Sequence, residues 1–193
     1  MSVFWQINIT LTIVLLAQVC SPRVYAQPVT LADLDGVTIE TTMVYEQVGR
    51  KNGTVIATRL QDDRRITVGP ADTLQSSTVH TVTGPWGTKV FPTSGSGSTF
   101  TLNKPKQISG LGGGDAVWIF ANGTLTFLRT YRSGGFKTEI IFRRGGSGLT
   151  CNIRSPFARE NGTGAIEMTS LGGGTWELIS SRVLSSSCRV TKR

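Results

Sequence analysis

The side chains best equipped for chemistry in this sequence are few. There is one histidine, His80, and there are three cysteines, Cys20, Cys151 and Cys188. Serine-hydrolase chemistry needs an imidazole beside its nucleophile. His80 lies in Ser77-Thr78-Val79-His80-Thr81-Val82-Thr83, an alternating β-branched run. A lone histidine on such a strand reads as exposed or as satisfied by a neighbour. Gly145-Gly146-Ser147-Gly148 lacks the spacing of a nucleophile elbow, and no G-x-x-x-x-G-K-[ST] phosphate loop occurs. Acidic pairs stand at Asp33/Asp35 and at Asp62-Asp63. The first reads as a short turn into the first strand. The second, beside Arg64-Arg65, reads as a turn. Glycosidase carboxylates must face one another across a sugar, and nothing in the spacing selects such a pair. One histidine and few cysteines leave no ligand set for zinc, an iron–sulfur cluster or haem. No catalytic residue, no cofactor and no metal are assigned, and a non-enzymatic binding protein is expected.

Arg129 is the most specific basic residue. Leu125, Phe127, Arg129 and Tyr131 share one face of a strand near 124–132, so Arg129 runs in phase with the core. A buried guanidinium needs a partner, because an unpaired buried charge is costly. Glu139 falls on the opposite face of the next strand, with Lys137, Ile141 and Arg143, and does not supply one by phase. Arg129 with Tyr131 would then hold a small anionic or amphiphilic ligand inside the fold. Alternatively the arginine reaches water along its stem at a sheet end.

Charge gives a second reading. Residues 27–103 carry six basic and seven acidic groups, whereas residues 104–193 carry 13 basic and five acidic groups. Such a field draws anionic polymers or lipid surfaces. The alternative function is therefore docking of the basic C-terminal half on an acidic envelope polymer or lipid surface. No nucleic-acid-binding module is visible.

The elements that must position these residues are strands. Val37, Ile39, Met43 and Tyr45 alternate with Thr38, Glu40, Thr42 and Glu46 near 36–48. Further strands are predicted near 54–60, 64–68, 77–83, 86–91, 98–102, 116–121, 124–132, 136–144, 149–154, 164–169 and 175–183. Asn52-Gly53, Asn122-Gly123 and Asn161-Gly162 each supply the two positive-φ positions of a tight hairpin turn. The fold class is all-β, a single antiparallel β-barrel or barrel-like sandwich of short hairpin-connected strands. A closed or nearly closed barrel is preferred, because closure removes exposed edges.

Residues 1–26 read as a signal peptide rather than fold. The apolar run Ile7–Val19 is short for a bilayer span, and Val24 and Ala26 suit the cleavage site before Gln27. A lipoprotein reading would need a small residue before Cys20, where Val19 stands. The mature chain, 27–193, is then one all-β domain without a transmembrane segment, exported to the periplasm or secreted. It retains Cys151 and Cys188, an even pair that reads as a disulfide in an oxidising compartment.

The C-terminal half resembles a group of small, uncharacterised exported bacterial proteins. The resemblance lies in Gly123-Thr124-Leu125-Thr126-Phe127-Leu128-Arg129-Thr130-Tyr131, Gly148-Leu149-Thr150-Cys151, Phe157-Ala158-Arg159-Glu160-Asn161-Gly162 and Ser185-Ser186-Ser187-Cys188-Arg189-Val190. It covers about half of the mature chain. It implies that the Cys151/Cys188 pair belongs to the fold, and it implies no activity.

Overall fold

Alternating β-branched and polar residues, punctuated by Asn-Gly turns, fold into an all-β molecule. The computed structural model describes residues 27–92, 98–107, 114–131, 134–146, 148–155, 164–167 and 175–192. The expected signal segment 1–26 and the turn at Asn161-Gly162 lie outside the described residues.

A 3-10 turn, Leu31–Leu34, leads into β1 (Val37–Lys51), β2 (Thr54–Gly69), β3 (Thr73–Gly84), β4 (Gly87–Pro92), β5 (Ser98–Thr101), β6 (Lys106–Gln107), β7 (Asp115–Ala121), β8 (Thr124–Tyr131), β9 (Gly134–Gly145), β10 (Gly148–Arg154), β11 (Gly164–Glu167) and β12 (Thr175–Lys192). One sheet has the order β11-β12-β1-β2-β3-β4, with β5 also on β3. The other has the order β10-β9-β8-β7-β6. Every pairing is antiparallel. The turns at Asn52-Gly53 and Asn122-Gly123 have the expected positive φ, 49° and 79° in the first, 49° and 70° in the second. They set the β1–β2 and β7–β8 registers, Lys51↔Thr54 and Ala121↔Thr124.

The two inward faces enclose one apolar core. Val37, Ile39, Ile66, Val68, Leu74 and Phe100 meet Ala116, Trp118, Leu125, Phe127, Ile140, Phe142 and Ile153. Val29 and Leu34 close the end where β1 begins. The 3-10 turn is held there by Asp33, whose carboxylate accepts from the Thr30 backbone N–H at 2.7 Å and from Arg144 on β9 at 2.6 Å. Those contacts hold the Asp33 carboxyl below its ordinary pKa, the Thr30 backbone hydrogen bond being the largest cause.

Three expectations change. The sheets do not close into a barrel; the architecture is a barrel-like sandwich. At the seam between β10 and β12 the strands are joined by side chains rather than a backbone ladder. Cys151 and Cys188 form a disulfide there, with 5.6 Å between their Cα atoms, and Ser186 Oγ donates to the Ile153 carbonyl at 3.5 Å. Second, several strands are long rather than short. β12 spans 18 residues, and two irregularities in its register with β1 insert Leu184 and Ile179 as extra residues. Such bulges let a long strand keep pairing while it twists. Third, Asp62-Asp63-Arg64-Arg65 is not a turn. It is the middle of β2, a 16-residue strand.

Candidate functional site

Four consecutive charges are tolerated inside β2 because the pleat sends them to opposite faces and each meets a partner. Asp63 and Arg65 point outward. Asp63 accepts from Thr42 Oγ1 at 2.7 Å and from Gln61 Nε2 at 2.8 Å, and Arg65 donates to Glu40 at 2.9 Å. Asp62 and Arg64 point inward, in phase with Ile66 and Val68 of the apolar core. The interior therefore has an apolar end and a polar end.

Two cross-strand rows build the polar end on the first sheet, Thr41–Arg64–Thr78 and Met43–Asp62–His80. Arg64 Nε donates to Thr78 Oγ1 at 3.1 Å. Its guanidinium carbon lies 4.7 Å from the ring centroid of Phe127 and 5.6 Å from that of Trp118, a cation resting on aromatic faces. Asp62 is only 8% exposed. It accepts from Tyr45 Oη at 3.2 Å and lies 2.6 Å from His80 Nδ1. His80 is thus the satisfied strand histidine that its sequence context suggests, and its partner is a buried carboxylate.

The opposing row on the second sheet is Trp118–Phe127–Thr138, across β7, β8 and β9. Trp118 is fully buried, and its ring packs at 4.8 Å on Phe127. Trp118 Nε1 and Thr138 Oγ1 are buried without a hydrogen-bond partner. Buried polar atoms are ordinarily paired, so two such atoms in the row beneath a cation mark a place with unused hydrogen-bonding capacity.

Arg129 stands one row further on. It is half-buried, on the face of Leu125 and Phe127, and its backbone pairs with Ala116 and Phe136. The seam fixes the relative direction of the sheets, since Cys151 meets Cys188 while Ile153 meets Ser186. Stepping from Phe127 to Arg129 therefore runs the same way as stepping from Arg64 to Asp62. The backbone of Tyr131 pairs with Gly134 at the end of β8; its side chain lies outside the described residues. Arg64, Asp62 and the polar atoms of Trp118 and Thr138 are the site residues that sequence reasoning missed. The usable signal was the period-two run Leu60-x-Asp62-x-Arg64-x-Ile66-x-Val68, which continues through the charges.

Four basic residues of the C-terminal half are committed to ion pairs. Arg144 holds Asp33, Arg182 holds Glu46 at 3.0 Å, and Lys137 and Arg154 both hold Glu139. Arg143, Arg189 and Lys192 are exposed and make no ion pair among the described residues. Among the described residues no three of His, Cys, Asp and Glu group as metal ligands, and no helix is long and apolar enough to cross a membrane.

Glu139 supplies a pH prediction. It is buried on the outer face of the second sheet. The hydrogen bond from Lys137, the largest cause, and that from Arg154 hold its carboxyl below the ordinary value of 4.5, against desolvation. A carboxyl depressed in the folded state adds stability above its unfolded pKa and loses it as pH falls through the folded one. Glu139→Gln is therefore expected to cost roughly 1–3 kcal/mol at neutral pH, since both cations are partly exposed. The gap from wild type should narrow in urea melts taken progressively below pH 4.5. A gap independent of pH would refute the ionic origin.

Compared with known proteins, the chain matches no protein-family model, no curated protein and no solved structure.

Proposed function

We propose that this protein binds a small anionic or amphiphilic ligand between its two sheets, and that it does so as an exported protein. One observation carries the binding reading. The Arg64 guanidinium lies over Phe127, whose row contains two buried polar atoms, Trp118 Nε1 and Thr138 Oγ1, that have no hydrogen-bond partner. A donor-rich cation on an aromatic floor suits a carboxylate, sulfate or phosphate group. The apolar end of the interior suits a hydrocarbon body. Arg129, one row away, is a second cation on an inward face, and this reading keeps Tyr131 as its expected companion. Export is supported by the Ile7–Val19 run with its small-residue cleavage site and by a disulfide, a bond that persists in oxidising compartments.

The test compares dodecanoate with dodecyltrimethylammonium, two amphiphiles of equal chain length and opposite charge, by isothermal titration calorimetry. Dodecanoate should bind stoichiometrically and the cation should not. Arg64→Gln should weaken dodecanoate binding roughly 10- to 100-fold, the range for a lost charge-assisted hydrogen bond. Arg129→Ala should also weaken it. Equal binding of both amphiphiles, or full affinity in both variants, defeats the reading. The second reading, docking on an acidic envelope polymer or lipid surface, rests on exposed Arg143, Arg189 and Lys192. It predicts retention on an anionic polymer that falls steeply with salt.

A further inference from the structure

We propose that His80 is a general base at the mouth of this site, and that the protein hydrolyses esters whose other end is anionic. The inference rests on the ligand reading above and extends it from binding to chemistry. Three observations support it. Asp62 faces Nδ1 of His80 at 2.6 Å. In the neutral ring that carboxylate keeps the proton on Nδ1, which leaves the Nε2 lone pair as the basic atom. Tyr45 Oη holds the far oxygen of Asp62 at 3.2 Å, so the carboxylate is fixed from both sides. The His80 side chain is still 37% exposed, so its ring combines a buried orienting partner with access from solvent.

The second observation is placement. His80 is directly cross-strand from Asp62, and Thr78 from Arg64. His80 and Arg64 are thus diagonal neighbours on one inward face, a separation of about 7–8 Å between Cα atoms. A substrate whose anionic group rests on Arg64 can place a carbonyl a few bonds away near His80. Third, Phe91 is the cross-strand neighbour of His80 on its other side and is 38% exposed. It offers an apolar wall beside the imidazole for the remainder of the substrate.

The reaction balances with water as the only co-reactant. Nε2 of His80 takes a proton from water as the water oxygen bonds to the ester carbonyl carbon. The carbon–oxygen bond to the alcohol then breaks. The leaving alkoxide recovers the proton from the imidazolium, giving a carboxylic acid, an alcohol and the starting imidazole. His80 is the catalytic residue and Asp62 is a positioning residue.

The experiment uses the purified full chain, with the mono-4-nitrophenyl ester of decanedioic acid as anionic substrate and 4-nitrophenyl butyrate as neutral control. Dodecanoate binding is measured on the same samples. Wild type should release nitrophenolate from the anionic ester faster than buffer and faster than from the neutral ester. His80→Ala should slow the reaction about 100-fold or more, the scale of a lost general base, with unchanged circular dichroism. Added imidazole should restore part of that rate, which a structural role for His80 would not allow. Asp62→Asn should slow the reaction, and Asp62→Glu should keep part of the rate. Hydrolysis at the buffer rate with dodecanoate bound overturns the base and leaves the ligand reading standing. A fully active His80→Ala, or a slowed one that imidazole leaves unchanged, also overturns it. Failure of wild type to bind dodecanoate removes both readings.

Discussion

The double variant Cys151→Ala/Cys188→Ala should unfold with about 4 kcal/mol less stability than the oxidised wild type. The bond links residues 37 apart in sequence. Closing a loop of that length in the unfolded chain removes conformational entropy worth about 4 kcal/mol at room temperature. Its place in the fold adds to the expectation. No backbone ladder joins β10 to β12 among the described residues, so the disulfide is the covalent tie at the point where the two sheets meet. Both cysteines also pack against the apolar core, and alanine preserves only part of that contact. Urea melts of the double variant and of wild type with and without a dithiol reductant measure the effect. The reduced wild type should resemble the double variant. A double variant within about 1 kcal/mol of oxidised wild type would show that the unfolded chain gains little freedom from the cut, contrary to the loop-entropy account.

Trp118→Ala should cost roughly 3–5 kcal/mol, the range for removing a large aromatic from a packed interior. Trp118 has no exposed surface. Its ring packs on Phe127 at 4.8 Å and lies beneath Arg64. Truncation therefore opens a cavity and strips one of the two rings from a cation that rests on both. Trp118→Phe separates the contributions. It keeps an aromatic surface and deletes an indole N–H that has no acceptor, so its cost should be well below that of alanine. Denaturation followed by far-ultraviolet circular dichroism is the appropriate measurement, since the substitution alters fluorescence. If phenylalanine proved as damaging as alanine, the N–H would be making a contact that the structure does not contain.

The strands were largely legible because their signals are local. Asn52-Gly53 and Asn122-Gly123 mark turns by a backbone property that few other residues share, and Val37, Ile39, Met43 and Tyr45 reveal a buried face by period alone. Cys151 and Cys188 were legible as a pair because the expected compartment is oxidising. The interior site was not. Asp62 and Arg64 look like turn residues because burying charge in a strand is costly without partners. Those partners, Tyr45, His80, Thr78 and Phe127, lie 14 to 63 residues away in sequence. Arg129 was legible because it runs in phase with Leu125 and Phe127 on a face that is otherwise apolar. The long run of β12 past residue 183 escaped notice for a related reason. Ser185-Ser186-Ser187 has weak strand preference, and β1 alongside it sustains the pairing.

That pairing has a temporal consequence. β1 takes β2 as one neighbour, only a two-residue turn away, but its other neighbour is β12, with Val37 opposite Lys192. During synthesis the β1–β2 hairpin can form early, while the second edge of β1 stays open until β12, residues 175–192, has been made. Contacts between such distant residues make folding slow. They also make it late, because the central strand of the larger sheet receives its last partner from the end of the described chain. Under the export proposed above, a chain that crosses a membrane unfolded would gain from such an order of events. The strand needed to complete the sheet, and the Cys188 it carries, arrive together, after the other described strands.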